Sequence, residues 1–152
     1  MRVVKNILIG LGVLFLVVLA LLSWVGVSSS HFRKEETPFV EKFVKDLSKR
    51  WDTADVYDRM TSDFIIQTGT PQAQQLLHQF KELGALKSVQ DLELLSYKFF
   101  NTEQSGVFSF KGTFENGTGV VHVTVVKKDG AVHVIGFFLK ATHMSGVSKL
   151  QT

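Results

Sequence analysis

Apolar residues recur every three or four positions after residue 36, the spacing typical of an amphipathic helix. The first stripe comprises Phe39, Val40, Phe43, Val44, Leu47 and Trp51. Charged residues occupy the opposite side of the same stretch. Thr37 followed by Pro38 is a typical helix start, because the hydroxyl caps free N–H groups and proline loses no hydrogen bond in the first turn. The pattern therefore predicts a long amphipathic helix that begins at Thr37.

Two shorter helices are predicted before the period of the pattern changes. A cap signal at residues 52–53 predicts a second helix that continues to about Met60. Residues 61–63 are predicted to end this helix. Residues 70–71, Thr-Pro, repeat the start signal, and Gly84 is predicted to end this third helix. The first half of the domain is therefore predicted to carry three helices.

After Val89 the apolar period changes from 3.6 to 2, which indicates strands. The predicted strands are Leu92–Phe100, Ser105–Glu115, Thr118–Lys128 and Ala131–Ala141. The dipeptides Asn116-Gly117 and Asp129-Gly130 favour two-residue type I′ hairpin turns. The predicted fold class is therefore α+β, with helices followed by a four-stranded antiparallel meander.

Two-residue turns fix the register and so predict which side chains share a sheet face. A turn at Asn116-Gly117 pairs Phe110 with Val123 and Phe108 with Val125. The face predicted to meet the helices carries Phe108, Phe110, Gly112, Phe114, Gly119, Val121, Val123, Val125, Val132, Val134, Gly136 and Phe138. This inner face is apolar and is notched by glycines.

The opposite, outer face of the last two strands is predicted to be apolar as well. Its predicted interface residues are Val120, His122, Ile135, Phe137 and Leu139. Monomers seldom leave an apolar patch of several hundred Å² in water, so the patch predicts a homodimer contact or a contact with another envelope protein. Two alternatives stay open: a helix or the C-terminal tail covers the patch, or a bulge at Gly136 rotates part of the strand.

An uncharged run of 21 residues, 7–27, precedes this domain. As a helix it is about 30 Å long, which matches the hydrocarbon core of a bilayer, so it predicts a transmembrane anchor. Arg2 and Lys5 favour a cytoplasmic N-terminus of residues 1–6 and an exported, periplasmic or extracellular, domain. The predicted organisation continues with a tether, 28–36, a folded domain, 37–141, and a flexible tail, 142–152. The alternative for the run is a cleaved signal peptide, which also exports the domain.

The composition of this 152-residue chain excludes several classes of binding and catalytic site. It has 17 basic and 14 acidic side chains and no cysteine. Because two basic residues precede the apolar run, the remainder is close to neutral and does not favour nucleic-acid binding. The lack of cysteine excludes thiolate metal sites and thiol nucleophiles. His122 and His133 are predicted to lie about four residues apart along neighbouring strands. Each residue adds ~3.4 Å of strand length, so the two side chains are too far apart to share an ion. We therefore expect neither a metal nor another cofactor.

Four segments resemble small exported members of the NTF2-like, or cystatin-like α+β roll, superfamily: WDTADVYDRMTSDF at 51–64, LGALKS at 83–88, GTFENGTG at 112–119 and KKDGAVHVIGFFL at 127–139. The resemblance covers about 38–139. It implies a roll of about three helices packed on a curved four-stranded meander. Enzymes, ligand carriers and assembly subunits all use this scaffold, so the resemblance implies a fold and not a function.

Enzymes of this superfamily place an Asp, His or Tyr in an apolar pocket between helices and sheet, where desolvation tunes proton transfer. The predicted inner face has no such residue, and Tyr57 and Asp58 on a helix are the only polar candidates. We therefore expect no catalysis, with an isomerase-like or cyclase-like enzyme as the least favoured reading.

Two functions remain open. The first is a membrane-tethered assembly module that uses the outer face. The alternative is a binder of a small apolar ligand or acyl chain in the cone between helices and sheet. Gly112 and Gly119 motivate the second function because they remove side-chain volume from the inner face. The predicted lining of the cone is Tyr57, Phe108, Phe110, Gly112, Phe114, Val121, Val123 and Phe138.

Overall fold

The computed structural model describes residues 29–144. The chain divides into two compact units, Met1–Glu36 and Thr37–Thr152. The predicted N-terminus, 1–6, the predicted anchor, 7–27, and the last eight residues, 145–152, lie outside the described part. Within residues 29–144, no helix is both long and apolar enough to cross a membrane.

Four helical segments precede the sheet in the described chain of the second unit. Helix α1 covers residues 37–48, a 3-10 helix covers Thr53–Arg59, α2 covers Ser62–Thr68 and α3 covers Pro71–Phe80. The predicted cap signals before the second and third predicted helices are confirmed. The side chain of Asp52 accepts a hydrogen bond from the Ala54 N–H, and that of Thr70 accepts one from the Ala73 N–H.

The helices differ from the prediction at several points. Helix α3 ends at Phe80 and not at Gly84, and α2 was not among the three predicted helices. Residues 29–36 of the first unit are also helical, so the predicted helix start at Thr37 is wrong. That stretch, predicted as a tether, is rich in Arg, Lys and Glu, which are strong helix formers although they are polar. Residues 61–63 do not close a helix; Thr61 caps the start of α2 by accepting from the Phe64 N–H at 3.4 Å. A hydroxyl followed by an acidic residue fits a helix start as well as an end.

The second half forms a four-stranded antiparallel sheet in the order β1-β2-β3-β4. Its strands are β1 Leu86–Phe100, β2 Glu103–Phe114, β3 Gly117–Lys128 and β4 Ala131–Met144. The predicted α+β class with a four-stranded meander is therefore confirmed. Both end strands are longer than predicted: β1 begins at Leu86 and β4 continues to Met144.

The turn between β2 and β3 lies one residue earlier than predicted. Phe114 pairs with Gly117, so Glu115 and Asn116 form the turn. The Glu115 N–H donates to the Ala85 carbonyl at 3.0 Å and the Asn116 N–H donates to the Leu83 carbonyl at 2.9 Å. These bonds to the segment after α3 hold a turn in which neither residue has positive φ. The register shifts by two residues, an even number, so the predicted faces of β2 and β3 are preserved.

The turn between β3 and β4 is confirmed. Asp129 and Gly130 have φ of 52° and 79°, as a type I′ turn requires. The predicted register then holds as far as the pair Val125–Val134.

A β-bulge follows this pair and reverses the faces of the rest of β4. Beyond the bulge, Val123 pairs with Phe137 and Val121 with Leu139. Phe137 and Leu139 therefore share the inner face with Val123 and Val121, while Phe138 lies on the outer face, so the predicted faces of these three residues are wrong. Beside the bulge, the Thr61 N–H donates to the Val134 carbonyl at 3.1 Å on the free edge of β4. The bulge lies next to this long-range contact.

The core lies between α1 and the inner face of the sheet. The inner-face residues Phe108, Phe110, Phe114, Val121, Val123, Val125 and Val134 are buried. The α1 residues Val40, Phe43, Val44 and Leu47 are buried as well. This agrees with the predicted apolar stripe of the first helix and with the predicted inner face of β2 and β3.

Candidate functional site

An apolar cavity of about 220 Å³ lies within the second unit, between the helices and β4. Its lining is drawn from all four helical segments and one strand: Phe43, Leu47, Thr53, Met60, Phe64, Gln67, Thr68, Ala73, Leu76, Leu77, Phe80 and Phe137. Leu76 and Gln67 are exposed, so the cavity reaches the surface between α2 and α3.

Trp51 positions two of the aromatic rings that line the cavity. Its ring centroid lies 5.3 Å from that of Phe80 and 6.3 Å from that of Phe137. The indole Nε1–H donates to the Gly84 carbonyl at 3.0 Å. Trp51 is buried and has φ of 52°, in the left-handed region. The packed ring and its hydrogen bond hold this unfavourable backbone conformation at the end of α1.

An ion pair attaches the 3-10 helix, which contributes Thr53 to the cavity, to α1. The Arg59 Nη1 lies 2.8 Å from the Asp46 Oδ2, and the Lys49 Nζ lies 3.4 Å from the other carboxylate oxygen. Burial raises the pKa of Asp46, but the hydrogen bonds from Arg59 and Lys49 outweigh it and hold that pKa below its ordinary value. Asp46 is therefore charged at neutral pH.

The polar groups of the lining are few and uncharged. They belong to Thr53, Gln67 and Thr68, and the Thr68 hydroxyl donates to the Ile65 carbonyl at 2.8 Å within α2. No titratable side chain lines this cavity in the described chain, and residues 29–144 contain no group of three His, Asp or Glu that could hold a metal ion. The arrangement can bind an apolar molecule by excluding water from it.

The residues predicted to line a ligand site do not line this cavity. Phe108, Phe110, Phe114, Val121 and Val123 are fully packed in the core. The glycine notches are filled by side chains rather than left open. A Cβ at Gly112 would lie 2.9 Å from Phe114 Cε2, and one at Gly119 would lie 2.9 Å from Leu139 Cδ1. Tyr57 and Phe138 are exposed.

Phe137 is the one predicted site residue in the lining, and it was predicted to belong to the interface instead. Six of the other lining residues belong to apolar helix stripes: Phe43 and Leu47 of α1 and Ala73, Leu76, Leu77 and Phe80 of α3. The sequence signal for them was the helical spacing of apolar residues in α1 and α3. That signal predicts a buried helix face, but it does not distinguish close packing from a cavity.

Three of the five predicted interface residues lie on the outer face of the sheet. Val120, His122 and Ile135 lie there, whereas Phe137 and Leu139 do not. Phe138 takes their place, with 57% of its surface exposed and its ring centroid 5.8 Å from that of His122. The outer face therefore keeps an apolar patch, which we call the outer patch: Val120, His122, Ile135 and Phe138.

Neither the protein-family models nor the curated proteins compared with this chain match it. Its function is therefore inferred from the geometry of the cavity and of the sheet.

Proposed function

We propose that this protein is a non-catalytic, membrane-tethered exported domain that binds a small apolar molecule in the cavity between its helices and Phe137. The observation that carries the proposal is the lining, which consists mostly of aromatic and aliphatic side chains and, among residues 29–144, includes no acid or base. Such a lining favours binding by the hydrophobic effect over proton transfer. Tyr57 and Asp58 are exposed and do not belong to it.

The cavity volume limits the size of the ligand. An apolar cavity of about 150 Å³ can hold benzene, and drug-sized ligands occupy pockets of about 300 to 1,000 Å³. A space of about 220 Å³ lies between these values. The ligand class is therefore a single aromatic ring or a short alkyl chain, and a whole long acyl chain is too large to be enclosed.

The proposal includes the fold family and the location. Helices followed by an antiparallel meander form the order expected of an NTF2-like roll. The apolar run at residues 7–27 supports a membrane anchor, and the basic residues before it support export of the folded domain. A domain held at a bilayer meets apolar molecules at a raised local concentration, so modest affinity suffices.

Binding of fluorobenzene to the full-length protein in mild detergent tests the cavity, with ¹⁹F NMR as the readout. We expect saturable binding by the unmodified chain. Ala73 lines the cavity, so Ala73→Phe should fill it and weaken binding at least tenfold. Ala54→Phe adds the same ring at an exposed position of the 3-10 helix, outside the lining, and should leave binding unchanged.

Detergent micelles also take up fluorobenzene, so the difference between the two variants is the deciding quantity. Equal binding by Ala73→Phe and Ala54→Phe would contradict the proposed site. Circular dichroism of both variants separates loss of binding from loss of folding.

A second function is favoured by the outer patch. Ile135 and Phe138 are both exposed on the outer face of β4. Exposed large apolar side chains in one patch are typical of association surfaces. The second candidate function is therefore self-association through the outer patch.

A further inference from the structure

One polar group of the cavity lining has no hydrogen-bond partner in the fold. Thr53 lines the cavity and is buried, with 4% of its surface exposed. Within residues 29–144 its hydroxyl makes no hydrogen bond, and its oxygen is not fully enclosed by protein atoms. Buried polar side chains are in the large majority paired with protein or with water. The Thr53 hydroxyl is therefore open to a partner that enters the cavity.

The other two polar residues of the lining are in different situations. The Thr68 hydroxyl donates to the Ile65 carbonyl at 2.8 Å, so its hydrogen is already used. Gln67 is exposed at the mouth of the cavity, where its amide can bond to water. In the described lining, Thr53 is thus the residue whose polar group needs a partner inside the cavity.

The backbone around Thr53 is fixed by local hydrogen bonds. The Asp52 side chain accepts from the Ala54 N–H at 3.0 Å, and the Asp52 carbonyl accepts from the Asp55 N–H at 3.1 Å. Trp51, two residues before Thr53, is buried in the core. A group on a fixed backbone loses little conformational freedom when it binds a ligand. Thr53 is therefore suited to select among ligands.

The charge of the lining limits which polar group can bind there. Among residues 29–144 the lining contains no acidic residue and no lysine, arginine or histidine. A carboxylate or an ammonium in this space would lose its hydration without gaining a counter-charge, which is costly. A threonine hydroxyl, by contrast, can donate to a carbonyl oxygen and can accept from a hydroxyl. The site therefore suits an uncharged oxygen group.

We propose that the ligand of this cavity carries one uncharged oxygen group, a hydroxyl or a carbonyl, which forms a hydrogen bond with Thr53; this rests on the proposed function of the cavity. The apolar part of the ligand, a single ring or a short alkyl chain, occupies the rest of the space of about 220 Å³. A purely apolar ligand would exclude water from the Thr53 hydroxyl and leave it unpaired, which lowers its affinity. Thr53 thus determines which small apolar molecules the cavity prefers.

Two probes of similar size test this proposal: 4-fluorophenol, and 4-fluorotoluene, in which a methyl group replaces the hydroxyl. Their binding to the full-length protein in mild detergent is measured by ¹⁹F NMR. The deciding quantity is the ratio of their dissociation constants, compared between variants so that uptake by the micelles cancels. Thr53→Val removes the hydroxyl but keeps the branched shape, so it should reduce the preference for 4-fluorophenol about fivefold.

Thr68→Val is the matched control, because it removes a hydroxyl from the same lining but one that is already bonded within α2. It should keep the preference of the unmodified chain. Retained binding of 4-fluorotoluene shows that the site of a variant is intact. If Thr53→Val loses that binding, Thr53→Ala, which removes the hydroxyl without adding volume, takes its place. A third probe, 4-fluorobenzoate, is charged at neutral pH and should bind roughly tenfold more weakly than 4-fluorophenol, or weaker still.

Different outcomes separate this proposal from the proposed function. Saturable binding of both uncharged probes, with the same preference in Thr53→Val as in the unmodified chain, would overturn the role of Thr53 alone. An equal loss of preference in Thr53→Val and Thr68→Val would also overturn it, because the effect would not depend on the unpaired hydroxyl. Binding of 4-fluorobenzoate as tight as that of 4-fluorophenol would contradict an uncharged ligand. If neither uncharged probe binds saturably to the unmodified chain, the proposed function fails, and this proposal with it.

Discussion

At the scale of single residues, Trp51 connects the core to the cavity. It contacts Phe114 of the sheet, with ring centroids 5.9 Å apart, as well as Phe80 and Phe137 of the lining. Its indole N–H donates a hydrogen bond to the Gly84 carbonyl. Gly84 has φ of 79° and lies where the chain turns from α3 into β1. One side chain thus fixes the end of α1, a turn and two cavity rings.

Replacing Trp51 by phenylalanine keeps an aromatic ring but removes the donor to the Gly84 carbonyl. We expect Trp51→Phe to lower the free energy of unfolding by about 1 to 2 kcal/mol, because a partly buried acceptor loses its partner. Urea unfolding of the full-length protein in mild detergent, followed by circular dichroism, measures the change. Trp24→Phe, in the apolar run, controls for the loss of an indole and should leave the unfolding midpoint of the folded domain unchanged. Equal midpoints for the two variants would contradict this role of Trp51.

At the scale of elements, the Asp46–Arg59 pair joins α1 to the 3-10 helix. Both side chains are mostly buried, so the pair is better shielded from water than the Arg50–Asp55 pair, whose arginine is exposed. Because the pKa of Asp46 in the folded state is below its ordinary value, its charge stabilises the fold above about pH 4. That contribution is lost as the pH falls through the folded-state pKa.

Asp46→Asn should therefore lower the free energy of unfolding at pH 7 by about 1 kcal/mol. The variant should also lose less stability than the unmodified chain as the pH falls. The measurement is the urea midpoint of unfolding at a series of pH values from 7 to 2. Asp58→Asn removes an exposed carboxylate from the same region. Its urea midpoint should change with pH in the same way as that of the unmodified chain. If Asp46→Asn loses as much stability on acidification as the unmodified chain does, the ion pair does not make this contribution.

At the scale of the whole molecule, the two faces of the sheet have different environments. The inner face is covered by α1 and is buried, whereas Ile135 and Phe138 of the outer patch are exposed and Val120 and His122 are half-buried. The exposed ring of Phe138 lies beside that of His122. Self-association through this face would remove the ring from water, and burial of a phenylalanine side chain contributes about 1.5 to 3 kcal/mol.

If the outer patch joins two copies, Phe138→Glu should dissociate them by burying an unpaired charge. Analytical ultracentrifugation of the full-length protein in mild detergent, from micromolar to high micromolar concentration, measures this, and we expect the dissociation constant to rise at least tenfold. Lys140→Glu also places a carboxylate on the outer face, but at an already charged position, and serves as the control. A chain that is monomeric over the whole range would remove the support for self-association.

Much of the fold could be predicted from local patterns. The period of apolar residues located α1 and the four strands, and the caps at Asp52 and Thr70 were identified by residues close in sequence. The Asp129-Gly130 turn was predictable because its two positive φ values depend on the two residues themselves. Such features rest on interactions within about four positions along the chain, so the sequence displays them directly.

The candidate site depended on contacts between distant residues. The bulge after Val134 turns Phe137 into the cavity, and it lies beside a hydrogen bond from Thr61 that no local pattern displays. Likewise, Gly117 was interpreted as a turn residue, whereas the fold requires glycine there because a Cβ would clash with the His143 carbonyl oxygen.

The sequence by itself therefore determined the order of helices before strands, the fold class, the buried face of β2 and β3 and the apolar run at residues 7–27. The tertiary structure alone decided which part of β4 faces the helices, and it decided that the open space lies among the helices and not at the glycine notches. Helix and strand patterns depend on near neighbours, whereas a cavity is space left between side chains that only the complete fold brings together.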